Sequence, residues 1–222
     1  MFLNKSKVFL SLTKARLSFS VVFSTLAGYI LGVGVVNFVD LVLLLFGGYC
    51  MVGASNSFNQ IIEKDKDALM DRTKSRPLPT KKISTSNAFW ISVLLTLTGL
   101  GILYTINYKT AFFAAVSVFI YTCIYTPLKP ITPLSVFVGA IPGAIPFMLG
   151  WVAATNSFGI EPGTLFMIQF FWQFPHFWAL GWMLDDDYKK AGFNMLPTGK
   201  KDKKTAIQII LYVIWMIIIS IF

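Results

Sequence analysis

Long uncharged stretches alternate along this chain with short segments rich in lysine. No Asp, Glu, Lys or Arg occurs in residues 18–38, 41–62, 83–108, 110–128, 130–160 or 162–184, and residues 205–222 form a seventh such run. A membrane span needs roughly 20 apolar residues. The pattern therefore predicts an all-α fold, a polytopic transmembrane helix bundle in which seven spans are present. Connections on one side are short, around Asp40, Lys109 and Glu161; on the other side residues 63–82 and 185–204 make two long loops. No solenoid repeat, low-complexity tract or soluble insert interrupts the series, so residues 1–222 read as a single membrane-embedded domain.

Composition agrees with that reading. Charged residues make up 13% of the 222 and hydrophobic ones 55%, where a soluble domain carries about 25% charged. A soluble globular protein, a disordered chain and a disulfide scaffold are all excluded. Cys50 and Cys123 fall inside apolar runs, which makes them buried thiols rather than a disulfide or a zinc site.

The net charge of +9 suggests nucleic acid until the charges are placed. If successive loops alternate sides, 18 of the 19 basic residues fall on the face of the N-terminus, and Lys109 alone lies opposite. Nucleic-acid binding is not expected; the positive-inside rule puts the crowded face and the N-terminus in the cytoplasm. That rule does not explain the acids. Seven of the ten cluster where helices meet the two long loops.

Asn59, Glu63, Asp67 and Asp71 recur every fourth residue. Four helical positions advance by about 400°, so these side chains would form one slowly drifting stripe if the second long helix continued past the membrane. Like charges at that spacing repel, and a divalent cation offsets the repulsion. Carboxylates are the ligands Mg²⁺ prefers, shared with a substrate's phosphate oxygens. Arg72, Lys74 and Arg76 follow immediately as donors for phosphate charge. A second acidic cluster, Asp185-Asp186-Asp187, closes the sixth apolar run. The plainer reading of each cluster is a solvated helix end. Two clusters at the same end of a bundle instead suit a diphosphate held through Mg²⁺, its lipid tail among the helices.

The stripe, with Arg72-Thr73-Lys74-Ser75-Arg76-Pro77, resembles the first motif of the UbiA-type intramembrane prenyltransferases. Tyr125-Thr126-Pro127-Leu128-Lys129 and Gly139-Ala140-Ile141-Pro142-Gly143 agree with it. Trp172-Gln173-Phe174-Pro175-His176-Phe177-Trp178, running on to Asp187-Tyr188, is similar to the branch of that family that farnesylates heme, the protoheme IX farnesyltransferases. The resemblance runs from about Lys14 to the end of the chain. Glu63 stands where the family usually has Asp, Pro130 where Arg commonly follows the lysine, and Asn194 where Pro is common.

The resemblance implies a UbiA-type fold and transfer of a farnesyl group from farnesyl diphosphate to a vinyl group of heme b, giving heme O. It implies Mg²⁺ as cofactor, with heme b as substrate. Asp67, Asp71, Asp187 and Tyr125 become catalytic candidates, and Glu63, Asp67, Asp71 and Asp187 candidate metal ligands. Asn59, Arg72, Lys74, Arg76, Lys129, Trp172, Gln173, His176, Phe177 and Tyr188 become candidates for substrate binding. The partners it implies are the lipid bilayer and a downstream heme-modifying enzyme; the location is a bacterial inner membrane rather than a mitochondrial one. Because the family usually has nine helices, two C-terminal helices are expected beyond this chain.

Two further readings stand beside this one: prenyl transfer to an aromatic quinone precursor, and a non-enzymatic transporter. Transporters place polar groups near the midplane and often show inverted repeats; here the acids sit at one interface. His176, the single histidine, lies at membrane depth, where polar residues are functional candidates. It suits heme contact, or equally a hydrogen bond to a carbonyl freed by Pro175. Pro142, Pro146 and Pro175 suit a shaped cavity or ordinary kinks. Gly28, Gly32, Gly34, Gly47 and Gly48 read as close helix packing.

Overall fold

The computed structural model describes residues 2–221, and among them every regular element is helical. In chain order these are α1 Phe2–Leu12, α2 Ala15–Gly32, α3 Phe38–Ile62, α4 Lys64–Asp67, α5 Thr85–Ile106, α6 Tyr108–Phe119, α7 Thr126–Leu128, α8 Ser135–Thr155, α9 Ile160–Met183, α10 Asp185–Lys190 and α11 Lys203–Ile219. A wide π-type turn, Ile120–Tyr125, joins α6 to α7. All seven apolar runs thus contain a long helix. Five helices are both long and apolar enough to cross a membrane: α2, α3, α5, α6 with its continuation to Leu128, and α8. The other two fall short for different reasons. α11 has 17 residues, and α9 carries Glu161, Gln169, Gln173 and His176. The chain is a multi-pass membrane protein.

Capping side chains fix where spans begin. Asn37 accepts from Val39 and Asp40, Ser84 from Asn87, Asn107 from Thr110, and Asp202 from Thr205, satisfying amides that a helix start leaves open. α8 starts only at Ser135, after Pro130 and Pro133, and ends at left-handed Asn156 (φ 51°).

α3 packs on α5, α8 on both α2 and α9, and α11 on α9. The core gathers Tyr29, Leu44, Met51, Leu103, Met148 and Val152. Two glycines let α2 and α8 touch backbone to backbone. A Cβ on Gly28 would lie 2.0 Å from the Phe147 carbonyl oxygen, and one on Gly150 2.0 Å from that of Thr25. Gly32 and Gly47 also meet close neighbours, whereas Gly34 meets nothing within 4 Å. That last glycine has no packing role.

One element was not visible in the runs. α1 precedes the first span, and the chain reverses between them at Lys14, whose φ of 47° is left-handed. Such a conformation is costly for a residue with a Cβ. Polar side chains from the bundle hold it. Gln60 donates to the Leu12 carbonyl at 2.7 Å, Ser18 to Thr13 at 2.7 Å, and Asn56 to Ser18 at 3.2 Å.

Candidate functional site

A cavity of about 510 Å³ opens at the lysine-rich end of the bundle, between α2, α3, α8 and α9, within the size range of small-molecule sites. The stripe predicted from sequence builds one wall, but only in part. α3 ends at Ile62; a helical turn continues through α4, so the Glu63 carbonyl accepts from the Asp67 amide at 2.7 Å. Asn59, Glu63 and Asp67 therefore share the face that lines the cavity. Beyond Asp67 the chain turns away. Thr73 Oγ1 donates to the Asp67 carbonyl at 2.8 Å, and Pro77 and Pro79 bar a further helix.

Asp71 consequently leaves the stripe, which corrects the expected four-residue line. It is 63% exposed and paired with Lys74 at 2.5 Å and with Lys190. Asp187 accepts from the Asp71 and Arg72 amides at 2.7 and 3.2 Å, joining α10 to the loop after α4. Glu63, Asp67, Asp71 and Asp187 thus form two pairs rather than one cluster. Among the described residues no three His, Cys, Asp or Glu side chains converge on a point that could hold a metal. Neither Asp71, Asp187 nor Lys74 lines the cavity.

The inner pair is buried, and each carboxylate is met by one cation. Arg76 Nη1 lies 2.8 and 2.7 Å from the two Asp67 carboxylate oxygens, and Lys129 Nζ lies 2.8 Å from Glu63. Burial pushes the Asp67 carboxyl above the usual carboxylate range, against the pull of Arg76. Burial opposes the charge on Lys129, but Glu63 together with Tyr121 and Tyr188 outweighs it and holds that ammonium above the ordinary lysine range. At the outer pair the balance reverses: Lys190 and then Lys74 hold exposed Asp71 down at about 2.

Lys129 also lies 4.6 Å from the Tyr125 ring centre. The π-type turn aims that tyrosine and its neighbour Thr126 inward. Pro127 supplies no amide to the Cys123 carbonyl, and Thr126 Oγ1 bonds the Tyr121 carbonyl at 2.8 Å. Such insertions are frequent at functional sites. Asn59 then bridges the walls, donating to Thr126 Oγ1 and accepting from Lys14 Nζ, each at 3.2 Å.

The remaining wall is aromatic. Trp172, Gln173, His176 and Phe177 of α9 all line the cavity. Trp172 and His176 stack with centroids 4.5 Å apart at 15°, as their i, i+4 spacing allows. Among the described residues no hydrogen bond reaches the His176 ring from the protein, so the carbonyl-bonded alternative is not realised. The glycines of the α8 segment explain themselves here. A Cβ on Gly143 would lie 2.6 Å from Gln173 Nε2, and one on Gly139 2.6 Å from the Tyr125 ring. Tyr188 completes the mouth, with Arg72 6.0 Å from its ring centre.

Sequence reasoning overlooked Lys14, Asn56 and Tyr121, which also line the cavity. Lys14 was counted with the topogenic lysines. Burial, together with nearby Arg76 and Lys129, brings its ammonium down to about 7. Four basic side chains, Lys14, Arg72, Arg76 and Lys129, thus face two carboxylates at the polar end of the cavity, and the charge of the other three exceeds that of the carboxylates even where Lys14 is neutral. The site carries an excess of positive charge.

Residues 21–222 match the UbiA prenyltransferase family. The chain belongs to that family. It is 66% identical over 216 residues to a protoheme IX farnesyltransferase of Flavobacterium psychrophilum, covering 96% of this chain and 72% of that one. It is 67% identical over 212 residues to a protein of the same name from Christiangramia forsetii, covering 96% and 71%. Among solved structures, one described with digeranylgeranylglyceryl phosphate synthase shares the fold (TM-score 0.79, 22% identity, 97% of this chain and 76% of that one). So does a UbiA homolog from Archaeoglobus fulgidus bound to DMAPP and Mg²⁺ (TM-score 0.71, 16% identity, 95% and 84%). This UbiA family member is a prenyltransferase, and its cavity joins a charged end to an apolar, aromatic interior.

Proposed function

We infer that the chain transfers the farnesyl group of farnesyl diphosphate to a vinyl group of heme b, giving heme O. One observation carries this: a single cavity joins four basic side chains and two buried carboxylates to a wall bearing Trp172, Gln173, His176 and Phe177. The names of the relatives supply the acceptor. The lysine-rich face and the organisms of those relatives support a cytoplasmic N-terminus and a bacterial inner membrane.

The donor atoms fit Mg²⁺. Asn59, Glu63 and Asp67 offer only oxygen or amide groups on one face, and Mg²⁺ binds through one or two carboxylates together with substrate phosphates. Asn59, Glu63 and Asp67 would hold it, with Asp71 and Asp187 at the rim; bound there it neutralises developing phosphate charge. The chain's own residues do the rest. Arg76, Lys129, Arg72 and Lys14 bind the diphosphate and stabilise it as the leaving group while the bond from its oxygen to the allylic carbon breaks. The electron pair of that bond leaves with the diphosphate. Tyr125, Trp172 and Phe177 present ring faces to the allylic cation. The heme vinyl π pair forms the new carbon–carbon bond. Water adds to the resulting cation on the heme side and gives up a proton, leaving a hydroxyethylfarnesyl group.

The test incubates purified protein with farnesyl diphosphate, reduced heme b and Mg²⁺, and weighs the heme. A mass gain equal to farnesol supports the reading. Unchanged heme, with prenylation of an aromatic quinone precursor instead, would overturn it.

A further inference from the structure

A second groove, of about 800 Å³, lies outside the bundle between α1, the chain just before α5 and the first turns of α5. Three lysines face it: Lys5 from α1, and Lys81 and Lys82 from the segment leading into the span. None of the three has a carboxylate partner among the described residues, and no acidic residue lines the groove. Its other wall is apolar, formed by Phe9, Ile83, Trp90 and Ile91. A small separate core of Leu12, Leu78 and Ala88 ties α1 to this loop and to α5. The three segments that carry or flank the lysines are therefore packed together, while the lysine side chains themselves are exposed.

Depth fixes the occupant. Thr85 opens α5 and Trp90 lies five residues in, about one and a half turns, 65% exposed, at the level where tryptophan meets lipid headgroups. The groove thus has charge at headgroup height and a hydrocarbon wall directly below it. Basic pockets beside membrane helices take anionic lipid heads. We propose that this groove is a binding site for an anionic glycerophospholipid, its phosphate held by Lys5, Lys81 and Lys82 and an acyl chain lying along Trp90 and Ile91. The occupant comes from the leaflet, not from solution, because only a lipid uses both walls.

Native mass spectrometry of the full chain in detergent tests this, with phosphatidylglycerol, phosphatidylcholine of the same acyl chains, and free glycerol phosphate as probes. Phosphatidylglycerol is expected to stay bound in preference to phosphatidylcholine, and glycerol phosphate not to bind. Each lysine changed to Gln should lower that preference by about fivefold. Lys5→Gln alone reports the first step even if Lys81→Gln/Lys82→Gln does not fold. Lys81→Arg/Lys82→Arg should keep the preference, as should Lys200→Gln/Lys201→Gln on the other loop. The proposal is overturned if Lys5→Gln, or the combined Lys5→Gln/Lys81→Gln/Lys82→Gln variant, retains the full preference. It also fails if Lys200→Gln/Lys201→Gln loses as much, or if glycerol phosphate binds as tightly as the lipid.

Discussion

Two pairs of carboxylates flank the mouth of the cavity, and their surroundings differ in almost every respect. Glu63 and Asp67 are buried, and each is met by one cation, from Lys129 and from Arg76. Asp71 and Asp187 lie on the rim, where Lys74, Lys190 and the backbone amides of Asp71 and Arg72 satisfy them. A buried charge stripped of its partner is strongly destabilising, whereas water replaces a lost partner at the rim. The inner pair is therefore bound up with folding and, in the proposed reaction, with chemistry as well. The outer pair governs how two loops lie against each other.

The largest expected effect comes from breaking the inner pair. Arg76→Leu leaves Asp67, whose side chain is 0% exposed, without its cation, and should cost about 3–5 kcal/mol in unfolding from detergent. An unchanged midpoint would show that water reaches Asp67. Next is Asp67→Asn, which keeps the shape and removes the charge. Turnover should fall on the order of 10²–10³-fold, with diphosphate affinity lost and heme absorbance titration unaltered. His176→Ala should do the reverse, weakening heme binding while Mg²⁺-dependent farnesyl diphosphate binding persists; a normal heme titration would make this histidine structural.

Smaller effects belong to the rim. Asp71 is held at about 2 by Lys190 and Lys74, below the ordinary value of about 3.9. A depressed carboxyl contributes fully above its unfolded value and loses that contribution as pH falls toward the folded one. Proteolytic protection of residues 68–82 should hold from neutral pH to about 5 and decline below about 4; Asp71→Asn should weaken this dependence, leaving the part due to Asp187, which the Asp71 and Arg72 amides also hold down. Asp65 is exposed and lies off the cavity wall. Asp65→Asn should change stability by no more than about 0.5 kcal/mol and leave turnover intact; equal losses from Asp65→Asn and Asp67→Asn would erase the distinction between wall and rim.

Much of this was legible because membrane helices announce themselves by missing charge. The seven runs each contain a long helix, and the i, i+4 spacing of Trp172 and His176 sufficed to put both on one wall. The stripe was legible up to Asp67 and misleading beyond it, since helical spacing carries no notice of the turn that Thr73 closes. α1 escaped because its 11 residues are too short for a span and its lysines looked like topogenic charge. Lys14 was missed for a related reason: only the left-handed reversal, fixed by Gln60 and Asn56 from another helix, turns it toward Asn59. Gly139 and Gly143 could be recognised as a pattern, but that they make room for Tyr125 and Gln173 depends on contacts between distant parts of the chain.

The close meeting of α2 and α8 sets a limit on the interior. The innermost cavity residues on these helices are Ser24 and Pro146. One turn further along, Gly28 and Gly150 press against opposing main-chain carbonyls, about 6 Å beyond at the helical rise. Side chains can swing aside for a longer guest, but peptide groups cannot. Between these two helices the compartment thus ends on a rigid floor, and a tail could pass it only if whole helices moved apart. In the proposed reaction the glycine pair would act as a gauge, setting how far a chain may reach between these two helices.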